Sequence, residues 1–215
     1  MKKKLALILA GTAMAAMVLA GCGDKNNASG EDVKTAESVE DKKTFTVGFD
    51  AEYPPYGYMD ENGEYTGFDL ELAEAVCKLE GWELVKKPLN WDSKDMELNS
   101  GSIDCIWNGF TMNGREDDYT FSTPYVDNSQ VIVVAEKSGI DTLEDLAGKT
   151  VGVQAASAAL DLLKSEEEGG QKKLADTFGA LNEFADYNTA FTELQAGALD
   201  AVSYTHLTLP TNSRV

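Results

Sequence analysis

The hydrophobic positions of this 215-residue chain alternate between a period of two and a period near 3.6. Thr44–Phe49 alternates and then stops at Asp50, which predicts a strand. Apolar residues next recur at helical spacing from Phe68 until Gly81, which predicts an amphipathic helix packed on a sheet. The remaining elements of this half are predicted as a strand at 82–87, a short helix through Met96 and Leu98, and a strand at 103–107.

The same pattern starts again in the second half of the chain. Strands that alternate with helices are typical of α/β proteins with mostly parallel sheets, and 215 residues suffice for one large domain or two small ones. The predicted elements are strands at 130–135, 150–153 and 181–185, a capped short helix at 141–148, a helix through Leu160 and Leu163, and a helix through Phe191 and Leu194 with Asn188 as its N-cap.

The N-terminus has the pattern of an export signal. Three lysines precede an apolar run at 5–18 that is shorter than the roughly 20 residues needed to span a bilayer, which predicts a signal peptide at 1–21. The run ends in Leu-Ala-Gly-Cys, which resembles the lipobox of bacterial lipoproteins, so we predict that Cys22 carries lipid. A plain secretory peptide with an incidental cysteine is the alternative. The polar segment 22–43 is predicted to be a flexible tether.

The amino-acid composition limits which kinds of molecule this protein is expected to bind. The chain is 43% hydrophobic, enough for a core, and its 37 acidic against 18 basic residues give a net charge of −19. No basic stripe is available to neutralise phosphates, which argues against nucleic acid. Cys77 and Cys105 lie at apolar positions; they could pair outside the cytoplasm, but we expect free thiols.

An acidic segment at 60–64 resembles the start of an EF-hand loop, but such a loop needs glycine at its sixth position, which is Tyr65 here. Its Asn-Gly pair lies between Tyr58 and Tyr65, and such a pair is typical of a β-hairpin with a type I′ turn. We therefore predict a hairpin there and no metal site.

The segment 107–115 carries a candidate anion site. It follows a predicted buried strand, and Gly109 and Gly114 allow the backbone to bend at the strand's carboxyl end, where open α/β sheets bind ligands. Arg115 then offers a planar pair of donors that matches a carboxylate. The alternative is a surface arginine paired with Glu116 or Asp117.

Two further loops follow predicted strands. The first holds Asp50, Tyr53 and Tyr56 around two adjacent prolines, which make it stiff; it suits a small ligand or serves only as a rigid turn with half-buried tyrosines. The second places Ser157 at a helix start, where N–H groups favour an anion but where serine is equally suited to be an N-cap.

From about Thr44 to Val202 the chain resembles the family 3 extracellular solute-binding proteins, the polar amino-acid receptors of ABC importers. Six segments carry the resemblance: 50–56, 66–70, 107–115, 121–125, 143–152 and 190–202. It implies a type II periplasmic-binding-protein fold, α/β, with a ligand cleft between two lobes, at 44–135 and 136–202.

The resemblance also implies roles for residues in that cleft. Arg115, the Thr111 backbone and the Ser157 helix start would hold the α-carboxylate of an amino acid. The Gly109 carbonyl and the Thr111 hydroxyl would accept from its ammonium. Tyr53 and Trp91 would flank its side chain, and Asp50 would bond its polar end, which favours a neutral or basic side chain. Asn108, Phe110 and Gln154 complete the predicted set.

The chain departs from the family pattern in two places. Alanines occupy much of 154–158, where many relatives carry glycine and hydroxyl residues. From Ser203 onward the family pattern ends, and Thr205 stands about where the resemblance expects an acid for the ligand ammonium. We expect an incomplete second lobe and an atypical tail at 203–215, from a truncation or a chimeric join. His206 lies in that tail, and we give it no catalytic role.

The resemblance implies a binding protein and not an enzyme, with no cofactor and no metal. Its implied partners are a polar amino acid, the permease and ATPase subunits of an importer, and the membrane through Cys22. Two alternatives remain open: the binding module of a sensor or adhesin, and a dehydratase-like enzyme on the same fold.

Overall fold

A computed structural model describes residues 43–208. The predicted signal peptide, the lipidation of Cys22 and almost all of the tether lie outside the described residues, as does the end of the predicted tail. The strands are β1 Thr44–Phe49, β2 Glu52–Tyr53, β3 Gly57–Met59, β4 Tyr65–Thr66, β5 Glu83–Pro88, β6 Cys105–Ile106, β7 Asp127–Val134, β8 Thr150–Gln154, β9 Ala180–Phe184 and β10 Ala201–Thr208. The α-helices are α1 Phe68–Glu80, α2 Lys94–Asn99, α3 Ala158–Lys164, α4 Lys172–Ala175 and α5 Tyr187–Ala196, and 3₁₀ turns form at Trp91–Ser93 and Leu143–Leu146.

The first lobe is built on a parallel sheet in the order β5-β1-β6. Val47 in β1 is opposite Lys86 on one side and Cys105 on the other. Helix α1 covers the sheet and buries Leu70 and Ala73 against it. It ends, as predicted, at Gly81, whose φ of 69° is a left-handed conformation that glycine adopts without a Cβ penalty.

The predicted hairpin forms between β3 and β4, which pair antiparallel. Its turn differs from the prediction. A type I′ turn needs positive φ at two central residues, whereas here only Gly63 has it, at 83°. The Asp60 carboxylate instead shapes the turn by accepting from the N–H groups of Asn62, at 2.8 Å, and Glu64, at 2.9 Å.

The second lobe is built on a mixed sheet in the order β7-β10-β8-β9. β10 runs parallel to β8 and antiparallel to β7 over eight residue pairs, from Ala201 with Val134 to Thr208 with Asp127. The predicted lobe boundary after residue 135 is therefore displaced, because β7 pairs with this sheet. The described part of the predicted tail, 203–208, continues β10 as a regular strand.

Three further local details of the structure differ from what the sequence predicted. The N-cap of α5 is Asp186 rather than Asn188, since the Asp186 carboxylate accepts from the Thr189 N–H at 2.7 Å. Helix α4 was not predicted, and β6 is shorter than the predicted strand at 103–107. The expectation of free thiols is confirmed, because Cys77 and Cys105 are unpaired.

An aromatic cluster joins the lobes. Tyr53 and Tyr56, from the proline-containing loop of the first lobe, pack with Tyr187 of α5 and with Val202 and Leu207 of β10. This packing brings the carboxyl ends of β1 and β8 close together. Within residues 43–208, no helix is long and apolar enough to cross a membrane, and no cluster of His, Cys, Asp and Glu could hold a metal ion.

Candidate functional site

A small cavity of about 20 Å³ lies where the two lobes meet. Both lobes contribute to its walls, and nine of the ten residues predicted to bind ligand are among the lining residues. The lining consists of Tyr53, Trp91, Asn108, Gly109, Phe110, Thr111, Arg115, Gln154, Ser157, Ala158, Tyr187 and Thr205.

Asp50 is the predicted residue that does not line this cavity. It is 4% exposed, and its carboxylate accepts a hydrogen bond of 2.7 Å from the Gln154 amide, which does line the cavity. The Asn108 side-chain oxygen accepts from the Asp50 N–H at 3.1 Å. Burial raises the pKa of Asp50 above its ordinary value. The structure therefore places Asp50 behind the cavity wall, where it positions Gln154 instead of facing the cavity.

Arg115 projects from the segment after β6 toward the second lobe. Its guanidinium carbon lies 4.8 Å from the centroid of the Phe110 ring, and its Nη1 contacts the Thr111 carbonyl at 3.5 Å. Its Nη2 lies 2.5 Å from Oδ2 of Asp161 on α3. The alternative partners predicted for Arg115, Glu116 and Asp117, are wrong, because the arginine pairs with an acid of the other lobe.

The segment from Asn108 to Thr111 forms one wall. A Cβ atom placed on Gly109 would come within 2.0 Å of the Leu207 side chain, so any other residue here would require that side chain to move. The Thr111 hydroxyl accepts from the Asn128 amide at 3.1 Å, and the Asn108 carbonyl accepts from the Tyr125 hydroxyl at 3.4 Å. These bonds fix the wall without occupying the Gly109 carbonyl.

Ser157 begins α3 as its N-cap. Its hydroxyl accepts from the Leu160 N–H at 3.2 Å and donates to the Gln154 carbonyl at 2.7 Å. The N-cap reading of Ser157 is therefore confirmed, and the serine also lines the cavity. The preceding Ala156 has a φ of 52°, a left-handed conformation that is unusual for a residue with a Cβ atom.

Two tyrosines and a threonine close the opposite side. The Tyr53 hydroxyl donates to the Thr205 carbonyl, and the Thr205 N–H donates to the Tyr187 hydroxyl at 3.3 Å. Burial raises the pKa of both tyrosines, so each hydroxyl keeps its proton. Tyr187 was not predicted as a site residue, because its only signal in the sequence is its place at the start of a predicted helix.

Lys94 is a buried cation that was not predicted as a site residue. It is 3% exposed, its ammonium lies 5.1 Å from the Trp91 ring centroid, and it donates to the Ala156 carbonyl of the second lobe at 3.3 Å. Burial lowers its pKa. A lysine beside a loop tryptophan at a helix start was the available signal, because aromatic faces attract cations.

A larger cavity of about 560 Å³ lies beside the edge strand β6. Every residue that lines it belongs to the first lobe, from Phe45 to Tyr125. The smaller cavity is the candidate site because it alone of the two combines both lobes with the Arg115 cation.

Two α/β lobes with a polar cavity between them define the class of two-lobed, cleft-type ligand receptors. The chain belongs to the bacterial extracellular solute-binding proteins, family 3, which it matches over residues 45–203. It has the type II periplasmic-binding-protein fold.

Three similar proteins illustrate this membership. The L-cystine-binding protein TcyJ of Escherichia coli strain K12 is 32% identical over 88% of this chain and 68% of TcyJ. The arginine-binding extracellular protein ArtP of Bacillus subtilis strain 168 is 34% identical over 83% of this chain and 63% of ArtP. A histidine-bound substrate-binding protein of an ABC uptake transporter from Streptococcus pneumoniae is 34% identical, with a TM-score of 0.70 over 76% of this chain and 66% of that protein. The chain thus spans roughly two-thirds of their length.

Proposed function

We propose that this protein is an extracytoplasmic receptor that captures a polar amino acid and delivers it to an ABC-type permease. The observation that carries the proposal is the meeting of nine predicted residues around one cavity to which both lobes contribute, with Arg115 in its wall. Family membership supports the same function. The relatives named above bind cystine, arginine and histidine, which supports a polar amino acid as ligand.

The geometry suits a zwitterion. In our proposal, Arg115 and the N–H groups at the start of α3 bind the α-carboxylate, while the Gly109 carbonyl accepts from the ammonium. Tyr53 and Trp91 then flank the ligand side chain. The Gln154 amide, held by Asp50, offers its free oxygen and is compatible with a neutral or basic side chain.

Binding requires the lobes to separate. A cavity of about 20 Å³ has room for roughly one water molecule, far less than an amino acid needs. β7 and β10 are neighbouring strands of the second sheet, and one end of the pair lies near the cavity. We propose that this pair of strands flexes to open the cleft. A ligand that contacts both lobes then favours the closed state, which the permease recognises.

Our proposal places the receptor outside the cytoplasm, tethered through lipid on Cys22, with permease and ATPase subunits as partners and no turnover of the ligand. The predicted signal and lipobox support this location. A Cys22→Ala variant is expected to move from the membrane fraction to the soluble fraction, and retention in the membrane would contradict the lipid anchor.

A thermal-shift screen of the twenty amino acids and cystine tests the capture of an amino acid. We expect a shift with at least one polar amino acid that Arg115→Ala removes. Lys172→Ala is the matched control, since it deletes an exposed cation on α4 and should leave the shift unchanged. In a second arm, the same screen is run on this chain with the C-terminal third of ArtP added after it, because the chain spans only 63% of that relative. No shift in either arm would contradict the proposed function.

A further inference from the structure

Asp161, in the second lobe, forms an ion pair with Arg115, the residue proposed to bind the ligand carboxylate. Its Oδ2 lies 2.5 Å from Arg115 Nη2, and it is carried by α3, the helix that begins at the cavity. It was not among the predicted site residues and does not line the cavity. Among the described residues, no second acid forms an ion pair with Arg115.

The two partners differ in burial. The Arg115 side chain is 13% exposed, whereas the Asp161 side chain is 62% exposed. The carboxylate thus reaches in from the rim toward a guanidinium that is fixed against the Phe110 ring. Asp161 can return to water at little cost, while Arg115 cannot follow it.

The positive charge around the Phe110 ring explains why the Asp161 carboxylate lies beside Arg115. The Lys94 ammonium lies 5.9 Å from the centroid of the Phe110 ring, and the Arg115 guanidinium lies 4.8 Å from the same centroid. Two largely buried cations share one ring, and such an arrangement favours an anion beside it. Asp161 supplies that anion in this structure.

We propose that Asp161 sets the affinity of this receptor by competing with the ligand carboxylate for Arg115. The inference rests on the proposed function. A ligand carboxylate that approaches the guanidinium end-on forms one bond to each Nη atom, and Asp161 holds Nη2, so the acid must leave before that pair of bonds can form. Asp161 is therefore a specificity-determining residue, since its competition acts only on ligands that carry a carboxylate at this position.

The competition has a bounded size. Because the Asp161 side chain is mostly exposed, its ion pair with Arg115 contributes little, and its removal strengthens binding by that small amount plus the lost repulsion between the two carboxylates. We expect Asp161→Asn to tighten binding by about three- to tenfold.

The test is isothermal titration calorimetry on three proteins. They are made in the form that gave a thermal shift in the screen, either this chain alone or this chain with the C-terminal third of ArtP added. The three proteins are the unaltered protein, Asp161→Asn and the control Asp117→Asn, which removes an equal charge from an exposed position near Arg115. The titrants are the screened amino acids and two probes without a carboxylate, L-argininamide and L-histidinamide. Tighter binding of an amino acid by Asp161→Asn alone, with no gain for the amides, is the expected result.

Equal or weaker binding by Asp161→Asn overturns the inference and leaves the proposed function intact. An equal gain for Asp117→Asn also overturns it, because the effect is then general electrostatics. If none of the amino acids binds either Asp161→Asn or the unaltered protein, the proposed function fails and the inference fails with it.

Discussion

The Gln154 amide donates to the Asp50 carboxylate at 2.7 Å, so the carboxyl ends of β8 and β1 are joined across 104 positions of sequence. Asp50 also accepts from the Glu52 N–H at 2.9 Å. Each lobe thus supplies one partner of a buried hydrogen bond directly behind the candidate site. This bond ties the shape of the cavity wall to the approach of the two lobes.

Replacement of Asp50 should therefore weaken the protein according to how many acceptors are lost. Asp50→Ala leaves the Gln154 amide without this acceptor, and we expect a loss of about 1 to 3 kcal/mol in the free energy of unfolding. Asp50→Asn keeps one oxygen and should cost less. Urea denaturation with both variants measures the difference, and equal costs would show that the bond to Gln154 contributes nothing.

The Asp69 carboxyl gives a pH dependence of defined sign. It is fully buried in the first turn of α1, accepts from the Tyr125 hydroxyl at 2.7 Å, and its second oxygen has no partner within the described residues. Burial raises its pKa to about 6. The folded state therefore binds more protons than the unfolded state between pH 4 and 6, so this group makes stability fall as the pH rises through that window.

Asp69→Asn should remove that fall. We expect the stability of the variant relative to the unaltered protein to increase by roughly 2 to 3 kcal/mol between pH 4 and pH 7. Urea titrations at both pH values measure it. Asp60→Asn is the control of opposite sign, because hydrogen bonds from the turn lower the pKa of Asp60 and its contribution is lost as the pH falls. A difference for Asp69→Asn that does not change with pH would contradict the prediction.

Periodicity and turn chemistry predicted most of the fold. The strands at β1, β7 and β8 and the helix α1 follow from patterns that are strong over several residues. Elements with a weak local pattern were less predictable: α4 has four residues, and β6 has two. Asp186 and Asn188 are both good N-cap residues, and only the structure shows that Asn188 instead donates to Glu52 of the first lobe at 2.8 Å.

The lining of the candidate cavity was predictable from the family resemblance, together with the loops that follow β1, β6 and β8 at their carboxyl ends. Its internal pairing was not. The bond between Arg115 and Asp161 joins two residues 46 positions apart, and the Lys94 ammonium is buried by packing between lobes. No local pattern encodes such contacts, because they depend on how one lobe lies against the other.

The left-handed backbone at Ala156 predicts that glycine at this position would stabilise the folded protein. An L-residue in the left-handed region costs about 1 to 2 kcal/mol, while the added freedom of glycine in the unfolded chain costs about 0.4 to 1 kcal/mol. We therefore expect Ala156→Gly to be neutral or to stabilise by up to about 1.5 kcal/mol. Ala155→Gly is the matched control, since Ala155 lacks a positive φ, and it should destabilise. Denaturation curves decide the question, and equal losses for both variants would contradict the strain at Ala156.

Thr205 offers the sharpest test of how the site treats an ammonium. It lies two residues beyond the family match, at the position where the resemblance expects an acid, and it is 6% exposed. The residues that line the cavity include the Arg115 cation and no carboxylate. A zwitterion would therefore find a charged partner for its negative end and only neutral acceptors for its positive end.

Thr205→Asp should supply the missing charge. A hydrogen bond to a charged group contributes about 1.5 to 3 kcal/mol, so we expect the affinity for an amino acid to rise about 10- to 100-fold. Without ligand the same variant should melt at a lower temperature, because the new carboxylate is buried beside the Tyr53 and Tyr187 rings and cannot donate to the Gln130 side chain, as the Thr205 hydroxyl does at 2.8 Å. Thr205→Asn is the matched control, since it has nearly the same shape and no charge. Titration of both variants with the amino acid found in the screen separates the two effects: a gain for Thr205→Asn equal to that for Thr205→Asp would show that shape rather than charge limits binding.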